Sequence, residues 1–155
     1  MKIYLVQHGK AVSKEENPQR PLSEQGRAEV SRVAEFLKKA GIRPPVIIHS
    51  GKLRAKETAE ILALSLNPGA VPVEKKGISP LDDPSKIASE IQDLSDGTMI
   101  VGHLPHLGKF ASLLVTDNPE KGVARFQQGG ILCLEQDNEA KWAVAWLIVP
   151  QILPQ

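Results

Sequence analysis

A single cysteine, Cys133, among 155 residues excludes an intrachain disulfide framework and any cysteine-based zinc site. An excess of one charge is missing too. The 19 Lys and Arg against 18 Asp and Glu leave a formal +1, too balanced for a general nucleic-acid binder. Long apolar runs are absent: the longest, Trp142 to Val149, is far too short to span a bilayer. At the N-terminus, Met1 to Val6 meets Gln7-His8 before a signal-peptide core could form. A cytoplasmic protein with neither membrane nor nucleic-acid partners is expected. Two nucleotide-binding signatures are also missing, Gly-x-x-x-x-Gly-Lys-Ser/Thr and Gly-x-Gly-x-x-Gly after a strand. Ser50 lacks the glycine two residues earlier that a nucleophile elbow carries. His103 and His106 stand three apart, yet Leu104-Pro105 separates them and no third ligand lies close in sequence. No metal and no cofactor is therefore expected.

What is present reads as one domain over residues 1–155, long enough to bury its own core. Short apolar runs predict strands at Ile3–Gln7, Val46–Ile48, Val71–Val73 and Thr98–Val101. Between them, Ser23 is placed to cap a helix to about Ala40, whose Val30, Val33, Ala34 and Leu37 share a face. A second helix is expected from Lys52 to Leu66, and a third from Asp83-Pro84 to about Leu94. A fourth, opened by Pro105, carries Phe110, Leu113 and Leu114. Ile131–Glu135 and Lys141–Val149 flank Asp137-Asn138 as an antiparallel hairpin. Strands alternating with helices predict a three-layer α/β/α fold with a mostly parallel central sheet and an antiparallel C-terminal hairpin.

The near-neutral total hides an asymmetry. Residues 1–56 hold 12 Lys and Arg against 5 Asp and Glu, net +7, while residues 57–155 hold 7 against 13, net −6. An anionic ligand and a solvated basic helix explain this equally well. The residues after the strand ends are more informative. His8-Gly9 follows the first strand, Ser50 and Arg54 the second, and Gly102-His103 the fourth, with Arg20 in the first loop. In open parallel sheets the carboxyl ends of strands line the ligand crevice. Two histidines and two arginines without a partner carboxylate suit a tetrahedral dianion: arginine offers planar permanent donors, and a neutral imidazole can attack phosphorus and leave again. Singly, each residue has a structural reading as well. Arg54 lies beside Lys52 and Lys56 on a basic helix face, His49 sits inside an apolar run, and His106 can line a pocket or cap a helix.

These segments resemble a known family. His8-Gly9 after a strand, Ser50-Gly51-Lys52-Leu53-Arg54-Ala55 with Thr58, and Gly102-His103-Leu104-Pro105 are similar to the histidine phosphatase superfamily, the phosphoglycerate mutase-like fold. The short length, Arg20-Pro21-Leu22-Ser23-x-x-Gly26 and His103-Leu104-Pro105 resemble its SixA-type phosphohistidine phosphatases more narrowly. The resemblance runs from Met1 to about Ser112. It implies a metal-independent phosphatase in which His8 takes the phosphoryl group covalently. Arg20 and Arg54 would bind the phosphoryl oxygens, and His103 would stabilise the transition state. The implied partner is a histidine-phosphorylated protein domain or a small phosphorylated molecule, met by a monomer. Larger relatives use an acid to protonate an alkoxide leaving group; Asp82 and Asp83 lie in the corresponding segment. One departure stands out. The family has arginine immediately before the nucleophilic histidine, where this chain has Gln7. A catalytically weakened phosphate- or phosphoprotein-binding homologue is therefore a second expectation. Lys10 is positioned in sequence to restore some of the missing charge, and Ser50 is a further auxiliary candidate.

Overall fold

The first strand, β1 (Lys2–Gln7), alternates its side chains between two apolar layers and so occupies the middle of the structure. Tyr4 and Val6 face one cluster; Ile3 and Leu5 face the other. The computed structural model describes residues 1–155. Helix α1 (Glu24–Lys39), strand β2 (Ile47–His49), helix α2 (Leu53–Leu66) and strand β3 (Val73–Glu74) follow. Then come helix α3 (Pro84–Ser89), strand β4 (Thr98–Gly102), helix α4 (His106–Thr116) and the hairpin β5 (Ile131–Gln136) and β6 (Trp142–Ile148). The six strands form one sheet in the order β3-β2-β4-β1-β5-β6. The first four are parallel, and the hairpin is antiparallel at the edge. This is the three-layer α/β/α arrangement expected from the sequence. No helix is long and apolar enough to cross a membrane.

The two layers follow from the helix stripes. Val30, Val33, Ala34 and Leu37 of α1 and Ala55, Ala59, Leu62 and Leu66 of α2 pack on one sheet face. Ile87 of α3 and Leu107, Phe110 and Ala111 of α4 pack on the other. Ser23 caps α1 by accepting from the Gly26 N–H at 3.0 Å, and Asp83 caps α3 by accepting from the Ser85 N–H at 2.9 Å. The third helix is shorter than the expected run to Leu94. It gives way to a 3₁₀ turn at Ile91–Asp93, with i to i+3 bonds from Asp93 N to Glu90 O and Leu94 N to Ile91 O. Strand β3 is shifted from the expected 71–73 to 73–74, because Pro72 has no N–H to give a ladder. In β6, Ala145 is left unmatched between the Cys133–Trp146 and Leu134–Val144 pairs, a bulge that the alternation of residues does not reveal.

Two glycines let α1 press against the segment after β1. A Cβ on Gly26 would lie 2.1 Å from the Lys10 carbonyl oxygen, and one on Gly9 2.8 Å from Cγ2 of Val30. The first contact is with backbone and has nowhere to yield. Gly26→Ala is expected to cost about 2 kcal/mol by overpacking. Denaturant unfolding measures this; an unchanged midpoint would show that the contact does not constrain the loop.

Candidate active site

The strand register brings the chemistry together. Gln7 pairs with Gly102 and His49 with Val101, so β2, β4 and β1 end side by side with β4 in the middle. The residue after β4 is therefore flanked by those after β1 and β2. His103 meets His8 at 5.0 Å between ring centroids, tilted by 53°, and meets Ser50 at 2.6 Å between Nε2 and Oγ. From β1 the chain turns to α1 on one face, and from β4 it turns to α4 on the other. This is the topological switch at which open α/β sheets bind ligands.

His8 is held on every side. Its backbone N–H donates to the Gly102 carbonyl at 3.0 Å, tying it to the neighbouring strand. Its Nδ1–H donates to the Gly9 carbonyl at 2.7 Å, which leaves Nε2 as the unprotonated nitrogen. The Gly9 N–H in turn donates to Thr58 Oγ1 at 3.0 Å, and that hydroxyl donates to the Arg54 carbonyl at 2.7 Å. Thr58 thus couples the loop after β1 to the first turn of α2, where Arg54 sits. Arg20 occupies the left-handed region at φ 51 and donates from Nε to the Val12 carbonyl at 3.1 Å. Non-glycine residues rarely adopt this conformation; Asp117 and Ala140 are the other two here.

The electrostatics are of one sign. Burial pushes the His8 imidazole down to about 4; the Gly9 carbonyl opposes this, and Arg54 and Arg20 add to it. Burial pushes His103 down to about 3, aided by His8, Arg54, Lys52 and His106. Arg54 is lowered by burial and by Arg20, yet guanidinium stays charged in proteins. Both rings are therefore neutral at pH 7, and the charged side chains that act on them are cations. Two of the buried polar atoms left without a protein partner lie here, Arg54 Nε and His103 Nδ1. The Arg54 Nε–H is a donor that fits an incoming oxyanion, as is His103 Nδ1 in the tautomer that carries its proton there.

A titration follows from this. The His8 ring resonances are expected to move near pH 4 in NMR rather than near 6.5. Because the folded value lies below the unfolded one, the His8 contribution to stability is complete above pH 6.5. It is lost as pH falls from there toward 4. A His8 titration near 6.5 would contradict the buried, cation-flanked ring.

The remaining sequence candidates fall as follows. Gln7 ends β1 half-buried, with Oε1 buried and without a partner. Lys10 is exposed, and its Nζ donates to Gln25 Oε1 of α1 at 3.2 Å. Ser50 is brought to His103, as described. His49 is buried, and its Nδ1 accepts from the Gly51 N–H at 3.0 Å, a local role in the turn into α2. His106 is buried at the start of α4, stacked on Phe110, with neither ring nitrogen partnered. Asp82 accepts from the Ser79 N–H and Asp83 from the Ser85 N–H; both carboxylates act on the His106 ring. No three His, Cys, Asp or Glu side chains gather to hold a metal ion. Two contributors were not singled out from the sequence. The Gly129 N–H donates to the carbonyls of Gln7 and His8, at 3.0 and 3.2 Å, and braces the strand end from the far side. Its signal was Gly129-Gly130 before β5, with Gly129 at φ 78. The other is Lys52, whose charge reaches His103.

The comparisons with known proteins agree with this geometry. Residues 3–77 match the profile of the histidine phosphatase superfamily (branch 1). An uncharacterized protein of Picosynechococcus is 30% identical over 121 residues, covering 74% of this chain and 73% of that protein. Among solved structures, the protein histidine phosphatase SixA complexed with tungstate superposes with a TM-score of 0.84 at 21% identity, covering 97% of this chain and 98% of that one. The alpha-ribazole phosphatase from Shigella flexneri superposes at 0.77 and 12% identity, covering 97% of each. At such identities the two structures establish a shared fold, the phosphoglycerate mutase-like one. With the profile, the 30% identical relative and the shared fold, the chain belongs to the histidine phosphatase superfamily.

Proposed function

We propose that the protein is a phosphohistidine phosphatase, removing the phosphoryl group from a phosphorylated histidine of a signalling or phosphotransfer protein through a covalent intermediate on His8. One observation carries this reading. A neutral imidazole with its Nδ1 proton fixed on a carbonyl faces a second neutral imidazole, and both are acted on by cationic side chains and not by carboxylates. The tungstate held by SixA, a tetrahedral oxyanion, supports the same class of ligand. A cytoplasmic setting suits such a substrate.

The chemistry is then mostly positioning and preorganised charge. Arg54 and Arg20 bind the phosphoryl oxygens. His8 Nε2 attacks phosphorus in line, a new N–P bond forms, and the substrate N–P bond breaks. The substrate reacts with the second nitrogen of its phosphorylated imidazole protonated, so the departing imidazole keeps that proton and leaves neutral. Ser50 Oγ accepts the Lys52 backbone N–H at 3.3 Å, and in the tautomer this mechanism uses its hydroxyl donates to Nε2 of His103. The remaining proton of that ring then sits on Nδ1 and donates to the transferring group. Water next attacks the phosphoryl group on His8. Its oxygen joins phosphorus, its released proton ends on the phosphate, and His8 departs neutral, still donating from Nδ1 to Gly9.

A phosphate ester would need an acid for its alkoxide. Asp82 and Asp83 act on His106 rather than on His8 or His103, which favours the imidazole leaving group. The test compares a histidine-phosphorylated domain with an aryl phosphate and a small alkyl phosphate. The phosphohistidine substrate is expected to lead the alkyl ester in kcat/KM by on the order of 10²-fold, the worth of a missing acid. The reverse ranking would assign the protein to small esters. Phosphate binding without turnover of any of them would make it a binder, the second reading, which rests on Gln7 standing where the family has arginine.

A further inference from the structure

The start of α2 is built against its own electrostatics. A helix N-terminus carries partial positive charge and favours Ser, Thr, Asp or Asn at the cap and acidic residues in the first turn. Here the cap is Lys52, it makes no side-chain capping bond, Arg54 follows two residues later, and the first turn has no acidic residue. Local rules are broken in this way where a site needs it. Lys52 is also unpaired. Lys2, Lys75, Lys109 and Lys141 each reach a carboxylate and Lys10 is taken up by Gln25, whereas the exposed Lys52, like Lys56 on the same helix, has no ion-pair partner. Its backbone N–H bonds Ser50 Oγ, and Ser50 bonds His103, so Lys52 stands one hydrogen bond from the hydroxyl that holds the ring.

We propose that Lys52 is a further phosphoryl-binding residue, its ammonium adding a third cation to Arg20 and Arg54 at the mouth of the site. The inference rests on the reading of this site as a phosphoryl pocket. The effect of Lys52 on His103 agrees with that placement. Gln7, beside His8, contributes no charge, so the pocket holds only two guanidinium groups for a dianion. A cation that opposes the α2 dipole in the free protein is relieved when an anion binds, which couples the local cost to ligand affinity.

Because the cap and the binding role pull in opposite directions, one substitution separates them. Lys52→Asn places a favoured cap residue at the position and removes the charge. It is expected to raise the melting temperature of the free protein while weakening inorganic phosphate binding about tenfold by calorimetry at low salt. Lys52→Arg is expected to keep phosphate affinity within about twofold. The Lys52→Asn loss shrinks toward twofold or less in about 0.5 M salt, because the side chain is exposed. Lys56→Asn, on the same helix, controls for general loss of charge and is expected to change phosphate affinity less than twofold. Unchanged phosphate affinity in Lys52→Asn overturns the proposal, as does a fall in melting temperature that accounts for the weaker binding. A loss of phosphate affinity carried by Lys10→Ala instead of Lys52→Asn overturns it too. These readouts need no turnover, so they stay informative even if hydrolysis proves not to run through His8.

Discussion

Replacing His8 by alanine is expected to lower kcat on a histidine-phosphorylated domain by on the order of 10⁴-fold or more, because no other nitrogen in the pocket is presented as an unprotonated nucleophile. The reasoning is geometric. The Nδ1 proton of His8 is committed to the Gly9 carbonyl, and burial and the arginines keep the ring neutral, so Nε2 is free to attack across the physiological range. In the tautomer of the proposed mechanism the second ring, His103, has Nε2 taken by Ser50 and its proton on Nδ1, so it cannot substitute. Phosphate affinity is expected to fall far less, since Arg54 and Arg20 stay in place. Steady-state kinetics beside phosphate calorimetry separate the two effects. A loss below about tenfold in kcat would mean that His8 is not the attacking group.

The second large effect runs the other way. Gln7→Arg is expected to raise kcat/KM by roughly 30- to 1000-fold, the equivalent of about 2–4 kcal/mol for a charge-assisted contact to the transferring group. Gln7 ends β1 directly before His8, its backbone braced by Gly130 and Gly129, so a guanidinium there starts from a fixed point. Its own amide brings no charge, and Oε1 is buried without a partner. The measurement is kcat/KM on the phosphodomain for the two proteins under identical salt. A rate that stays level or falls would show that the pocket is already complete without the guanidinium.

How much of this could be read from the residues depended on range. The strand ends at Gln7-His8 and Gly102-His103 were legible because a buried parallel strand is a short apolar run, and the polar residue that ends it marks the crevice. The caps at Ser23 and Asp83 were legible for a similar reason, since the signal lies within four residues. Strand order was not. Nothing local places β4 between β1 and β2, and that order alone makes His103 touch both Ser50 and His8. The bracing of His8 by Gly129 joins residues far apart in the chain and carried only a turn signature. In the sequence Lys52 is one more charge on a basic helix face. Its place at the cap of α2, bonded through its N–H to the hydroxyl that meets His103, is set by the fold.

The central claim is a phosphoryl group carried covalently on His8, and rapid quenching of the protein with an isotopically labelled phosphohistidine domain tests it most directly. Quenched under alkaline conditions that preserve phosphohistidine and mapped by mass spectrometry, the label is predicted on the peptide containing His8, at its ring nitrogen, and to be absent in His8→Ala. Steady turnover with no labelled protein at any time, or label on a residue other than His8, would contradict the account.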